Sequence, residues 1–297
     1  MPGESEFIDW IRAHQRQADC VVLPPGDDLA VLKWRGEDLL LVGADQVLDG
    51  VHFDSTIHSP RAIGRKVMNR NLSDCAAMGC LPTAAVTTAA LPKGVGLEYA
   101  KELYLGLREA ADVFDCAIVG GDTGSWDGKL VLTVTILGRS AGVNPITRKG
   151  AKVSDDIYVT GPLGGSILGR HMTFEPRVAL GRRLAETGRI AAMIDVSDGL
   201  SRDLRHICRQ SGVGALLNSK LIPIHPDAIM LSDRDGRSAL DHALNDGEDH
   251  ELLFSGRLEG LGLPVTRIGR VTEQSGIYLE VDGKVELLEA KGWEHRI

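Results

Sequence analysis

Apolar residues recur along this chain in two rhythms, and the switches between them mark out its elements. Phe7, Ile8 and Ile11 stand at helical spacing, which predicts a helix over 6–18. Strand-like runs follow at 29–33 and 38–42. Ser59-Pro60 offers a capping hydroxyl and then a proline for the first turn, and Gly79 offers a stop, so a helix is predicted between them. A strand at 83–91 precedes an amphipathic helix over 97–114, with Leu97, Leu103, Leu107 and Ala110 along one side. Residues 117–119 and 130–137 read as strands around a turn at Gly120-Gly121-Asp122.

Near 139–155 the pattern becomes polar and turn-rich, which predicts a domain boundary. Beyond it come a strand at 157–160, a helix at 177–187, a strand at 190–194, a helix at 200–211 and several short strands after 213. Each half mixes strands with helices. The expectation is therefore an α/β (α+β mixed) fold in two lobes, with domains at 1–147 and 148–297.

Composition narrows the setting. A chain of 297 residues can bury a large core, and 43% apolar with 25% charged content is ordinary for a globular protein. No apolar run approaches the roughly 18 residues that span a bilayer, so no membrane partner is expected. A basic-then-apolar leader is not seen at the start, and the five cysteines are scattered without a CxxC pair. Together these suggest a cytoplasmic protein with reduced thiols. The net charge of −8 argues against a nucleic-acid partner, because no excess of cation tracks phosphates.

Candidate chemistry enters through the acidic residues. They stand where apolar runs meet glycine, in Gly26-Asp27-Asp28, Gly43-Ala44-Asp45, Gly120-Gly121-Asp122 and Asp195-Val196-Ser197-Asp198-Gly199. Asp74 adds one more within a helical stretch, sharing a face with Asn71. Each segment alone reads equally well as a turn, a cap or a solvated helix face. Together they suggest an acidic basin, and crowded carboxylates repel unless a cation sits among them. Oxygen ligands without histidine or thiolate partners favour Mg²⁺, which commonly accompanies polyphosphate. Gly164-Gly165-Ser166-Ile167-Leu168-Gly169-Arg170-His171 has P-loop spacing but carries Arg-His where Lys-Ser/Thr is required. The histidines lack zinc-site spacing, and no GxSxG elbow is present.

In chain order these segments resemble the thiamine-monophosphate kinase family of the aminoimidazole-ribonucleotide-synthetase-like superfamily. Further matching stretches are Gly50-Val51-His52-Phe53, Asn71-Leu72-Ser73-Asp74, Thr147-Arg148-Lys149-Gly150, Gly247-Glu248-Asp249-His250-Glu251-Leu252 and Lys291-Gly292-Trp293. The resemblance implies transfer of the γ-phosphoryl group of ATP to thiamine monophosphate, directly and in line. It also implies a homodimer whose N-terminal mixed sheets pair, and a C-terminal α/β domain that completes the cleft. By motif match, Asp28, Asp45, Asp74, Asp122, Asp195 and Asp198 would hold several Mg²⁺ ions. Tyr104, Gly121, Asp122, Arg148 and Ser197 would contact ATP, and His52, Glu248 and Trp293 would meet the acceptor. No residue is expected to act as a dedicated base, because the acceptor is already an ionised phosphate. The family usually carries Ser/Thr-Thr-Asp where this chain has Gly43-Ala44-Asp45, so two hydroxyls near a metal ligand are missing. Two alternatives stay open: a superfamily kinase or synthetase with another small acceptor, and a non-catalytic nucleotide or thiamine phosphate-binding paralogue.

Overall fold

The computed structural model describes residues 4–14 and 18–293, with backbone alone at 4–6. A first helix, α1 (Glu4–His14), leads into strands β1 (Val21–Leu23), β2 (Ala30–Lys33) and β3 (Leu39–Leu48). The expected end of that helix at 15–17 lies outside the described residues. Helix α2 (Pro60–Ala77), β4 (Leu81–Pro92), α3 (Gly96–Asp112), β5 (Ala117–Trp126) and β6 (Val131–Arg139) complete the first half.

The second half runs β7 (Asp156–Val159), α4 (Val178–Glu186), β8 (Ile190–Asp195), α5 (Leu200–Ser211) and β9 (Gly214–Asn218). It continues with α6 (Pro226–Asp235), α7 (Ala239–Asn245), β10 (Leu252–Gly256), β11 (Thr266–Thr272), β12 (Gly276–Val281) and β13 (Lys284–Leu287). The fold is mixed α/β with two mixed sheets, ordered β1-β2-β3-β6-β4-β5 and β13-β12-β9-β11-β7-β10-β8. Among the described residues, only β4 and β5 are parallel in the first and only β9 and β12 in the second.

Three local expectations require correction. The segment Gly120-Gly121-Asp122 is not a turn but the middle of β5, which pairs with β4 from Ala117 to Trp126 across one register shift at Val119. Glycine there permits close backbone approach, since a Cβ on Gly121 would lie 1.9 Å from the Thr87 carbonyl oxygen. Gly43-Ala44-Asp45 is likewise interior to β3, paired with β6 through to Leu48. After residue 213 the chain forms two helices as well as strands. Pro226 opens α6 behind His225, whose ring accepts from the Asp227 amide, and the Ser238 hydroxyl caps α7. Both are ordinary helix starts that the flanking short apolar runs obscured.

Helix α2 positions the site. The Ser59 hydroxyl accepts the Ala62 amide, Pro60 occupies the first turn, and Gly79 at φ 65° ends the helix. The helix packs on α3, on the first sheet, and on α4 and β8 of the second half, so it lies between the sheets. One apolar core reflects this, joining Ile63, Val67 and Leu72 of α2 to Leu41 and Ile136 of the first sheet and to Met193 and Phe254 of the second. A second core fills the far side of the second sheet under α5, with Ile194, Leu204, Ile207 and Leu253. Because α2 is buried nearly all round, its polar residues need partners inside the protein.

Candidate functional site

Those partners converge on one end of the helix. The Ser73 hydroxyl donates to Asp195 Oδ2 at 2.6 Å, and Asn71 Oδ1 accepts the Asp45 amide at 3.3 Å. Asp74, on the next residue, meets Asp28 from the β1–β2 region and Asp195 from the end of β8. One carboxylate oxygen from each lies within 4.8 Å of those from the other two. Three chain segments far apart in sequence thus bring like charges together, at a junction between the two sheets.

Electrostatics at this cluster are unbalanced. Burial pushes Asp28 up to about 7; Arg148 pulls it down, while Asp27 and Asp195 push it further up. Asp74 is also held well above the usual carboxylate range, by burial and by the charges of Asp45, Asp195 and Asp28. Asp195 is the exception. Burial raises it, but hydrogen bonds from His250 and Ser73 and the Arg148 charge bring it below the ordinary value. His250 Nδ1 lies 3.1 Å from Asp195 Oδ2, and the Phe174 ring stacks on the imidazole with centroids 4.0 Å apart. Arg148 Nη2 donates to Asp28 Oδ1 at 2.6 Å, and its backbone amide donates to Asp27. Asp28 Oδ2 is buried without a hydrogen-bond partner among the described residues. A buried, orphaned carboxylate oxygen beside two more carboxylates is an arrangement that a hard divalent cation would satisfy. The residues fit Mg²⁺.

A cavity of about 670 Å³ opens over the cluster, lined also by Asp45, Arg148, Ser197 and Asp198. A second cavity of about 740 Å³ adjoins it, lined by Val51, Glu248, His171, Lys291 and Trp293. Four residues, His52, Arg70, Ser197 and Asp198, line both. Its floor is held by the 247–251 loop, where Glu248 and His250 adopt φ of 67° and 51°. Such backbone costs about 1 kcal/mol or more per residue and persists only where the surroundings enforce it. Here the Glu248 amide donates to the Ser197 carbonyl and the His250 amide to the Val196 carbonyl, at 2.7 and 2.8 Å. Trp293 is seated by its own amide, which donates to the Asp198 carbonyl at 3.1 Å.

The expected site residues therefore divide. Asp28, Asp74 and Asp195 are in mutual reach, and Asp45, Asp198, Arg148 and Ser197 line the same cavity. His52, Glu248 and Trp293 line the second cavity. Gly121, Asp122 and Tyr104 line neither. Asp45 pairs with Val134, Val134 with Thr87, and Thr87 with Gly121, so Gly121 stands three strands from Asp45. That spacing is about 14 Å. Asp122 sits in a small recess beside Thr88 and Leu107, and Tyr104 is exposed on α3 in an apolar groove with Leu97 and Leu105.

Four further residues belong to the site although the sequence reading passed over them. Lys66, fully buried, contacts Glu248 and lies 2.8 Å from His171 Nδ1. Burial lowers it to about 8 against the opposing pull of Glu248. Arg70 reaches Asp45 and Glu248, and His250 reaches Asp195. Lys66, Arg70 and Asp74 recur every four residues, which places them along one helix face. That spacing was the available signal. The P-loop-like stretch is no phosphate cradle: its Gly164 and Gly165 amides donate to Asp249 and Asp246.

Comparison with known proteins bears on this geometry. Residues 26–140 match the family model for the AIR synthase related protein, N-terminal domain. A thiamine-monophosphate kinase of Rhodopirellula baltica is 42% identical, over 98% of this chain and 97% of its own length. One of Aquifex aeolicus is 33% identical, over 99% and 98%. Among solved structures, AaThiL complexed with AMPPCP and TMP matches with a TM-score of 0.87 and 29% identity, covering 99% of this chain and 97% of that one.

Proposed function

This chain belongs to the thiamine-monophosphate kinase family, and we propose on that premise that it transfers the γ-phosphoryl group of ATP to thiamine monophosphate, giving thiamine diphosphate and ADP. The observation that carries the reading is the pair of adjoining cavities that share His52, Arg70, Ser197 and Asp198. One holds the carboxylate cluster suited to a metal-bound polyphosphate. The other holds Trp293, whose aromatic face suits a cationic ring, beside the acidic Glu248.

Asp28, Asp74 and Asp195 would hold Mg²⁺, with Asp45 and Asp198 lining the same space. Bound there, the metal supplies charge neutralisation on the phosphates. Arg148 adds a fixed positive charge, already anchored on Asp28. Ser197 and Asp198 stand at the junction of the cavities, where donor and acceptor phosphates would approach in line. An acceptor that is already an anion needs no proton removed, and direct transfer to it needs no phosphoenzyme. Its task is to hold two anions close together.

We assign Gly121, Asp122 and Tyr104 to a nucleotide-binding surface that forms when two copies pair through their first sheets. The support is β5, an edge strand exposed along most of its length, with Val119 and Trp126 uncovered. A long open edge of this kind invites pairing. Residues 1–147 would then form the dimerising, ATP- and Mg²⁺-binding domain, and 148–297 the domain that closes the cleft. No helix among the described residues is long and apolar enough to cross a membrane. We infer a cytoplasmic setting, a reading that the five free cysteines support.

The test is incubation with ATP, Mg²⁺ and thiamine monophosphate, with chromatographic detection of thiamine diphosphate. Formation of that product with stoichiometric ADP is expected. ADP release only with some other acceptor would assign a different substrate, and binding of both ligands without turnover would mark a non-catalytic relative.

A further inference from the structure

Arg70 stands where the two cavities meet, and its surroundings give it more than a structural role. It lines both spaces while its side chain is only 14% exposed. Nε donates to Asp45 Oδ2 at 3.2 Å, and Nη1 donates to Glu248 Oε1 at 2.5 Å. Asp45 belongs to the cavity of the acidic cluster and Glu248 to that of Trp293, so one guanidinium bridges the two. Nη2 makes no hydrogen bond among the described residues, and it is not among the buried atoms left without a partner. It therefore has access to the cavity space.

The neighbouring carboxylates keep the guanidinium ionised. Lys66 also contacts Glu248, so two cations, Lys66 and Arg70, face two carboxylates, Glu248 and Asp45. Asp74 adds a third carboxylate whose charge acts on Arg70. A phosphate entering beside Arg70 would meet the open Nη2 edge of its guanidinium, with N–H groups in the planar fork that matches phosphate oxygens.

We propose that Arg70 is a catalytic residue that binds the acceptor's phosphate through its Nη2 edge and holds it toward the donor. This deepens the kinase reading and rests on it. In the transfer, an acceptor phosphate oxygen forms the new bond to the γ-phosphorus. The bond from that phosphorus to the β–γ bridging oxygen breaks, and ADP departs with the electron pair. Arg70 acts between the anions as a fixed charge that needs no reorganisation.

The experiment is calorimetric titration of the full chain with thiamine monophosphate and, separately, with unphosphorylated thiamine, for wild type, Arg70→Gln and Arg70→Lys. Arg70→Gln is expected to weaken thiamine monophosphate at least about tenfold while thiamine changes less than about twofold. Arg70→Lys, which keeps the charge but loses the fork, should fall between. Were Arg70 merely holding Glu248 in place, both ligands would weaken together, and that result overturns the proposal. If Arg70→Gln does not fold, the same comparison on Arg70→Lys decides: a phosphate-selective loss supports the assignment and a parallel loss refutes it. A wild type that binds neither ligand would refute the acceptor reading itself, and the role of Arg70 with it. A wild type that makes thiamine diphosphate while its Arg70 variants keep full phosphate selectivity would refute only the role of Arg70.

Discussion

The Ser73 hydroxyl donates to Asp195 at 2.6 Å, tying the helix that carries Asp74 to the strand end that carries the carboxylate beside it. Both residues are buried. The bond joins the two halves of the chain next to the acidic cluster and fixes one carboxylate oxygen of the metal cradle. A hydrogen bond to a charged group contributes about 1.5–3 kcal/mol. Because His250 still reaches the same oxygen, Ser73→Ala should cost at the lower end of that range in chemical denaturation. It should also weaken Mg²⁺ binding severalfold. Unchanged stability together with unchanged Mg²⁺ affinity would show that the bond orients nothing.

Removing one carboxylate should separate stability from metal binding. Asp74 is buried against Asp28, Asp195 and Asp45 and is held well above its ordinary range by burial and like charge. Asp74→Asn relieves that repulsion, so the metal-free variant should unfold at or above the wild-type temperature. The stabilisation on adding Mg²⁺, about 2.7 kcal/mol at a hundred times Kd, should shrink. Turnover should fall on the order of a hundredfold. A variant less stable than wild type without metal, yet equally stabilised by Mg²⁺, would mean that Asp74 has a structural role.

Asp249 predicts a pH dependence away from the metal cluster. Its carboxylate accepts from the Gly164 amide at 2.8 Å and from Arg170 Nη2 at 2.9 Å. Burial nevertheless raises it to about 7, against the pull of Arg170 and with a small push from Asp246. The ion pair alone would lower it, but for a carboxyl this enclosed the loss of water outweighs one neighbouring cation. A folded-state value above the unfolded one means the native state holds the proton more tightly. The contribution is full below about pH 4 and is lost as pH rises through 7. Asn mimics the protonated form, so the unfolding free energy of wild type minus that of Asp249→Asn should fall with rising pH across that window. Its steepest slope is about 1.4 kcal/mol per pH unit. A difference that grows with pH would show that the Arg170 pair prevails.

Much of this arrangement was legible in the chain, for identifiable reasons. Helix α2 was readable because Ser59, Pro60 and Gly79 are strong local punctuation, and their signals act where they stand. Convergence of Asp28, Asp74 and Asp195 was readable only as a sum of separately ordinary motifs. Strands β3 and β5 were cut short at their glycines, since a glycine that allows close approach to Thr87 looks the same as one that makes a turn. Lys66 and Arg70 were missed because their partner, Glu248, lies in a distant loop, and a cation on a helix face ordinarily signals solvent.

The crossing of α2 and α3 offers the sharpest check on the packing that holds Asp74 in place. The two helices meet at reciprocal glycines. A Cβ on Gly64 would lie 2.1 Å from the Leu103 carbonyl oxygen, and one on Gly106 would lie 2.0 Å from that of Arg61. Both obstacles are backbone, so neither can be relieved by turning a side chain. Helix propensity alone favours alanine at each position by about 1 kcal/mol, whereas overpacking of a tight core costs about 1–3 kcal/mol. The steric term should win, because both approaches are far inside contact distance. Gly64→Ala and Gly106→Ala should each destabilise by about 2 kcal/mol in urea denaturation. The double variant should cost less than the two singles combined, since one separation of the helices relieves both clashes. The same displacement would carry Asp74 away from Asp28 and Asp195, so the Mg²⁺-induced rise in unfolding temperature should shrink in the variants that still fold. Either single variant gaining about 1 kcal/mol, as propensity alone requires, would show that the helices cross farther apart than this packing demands.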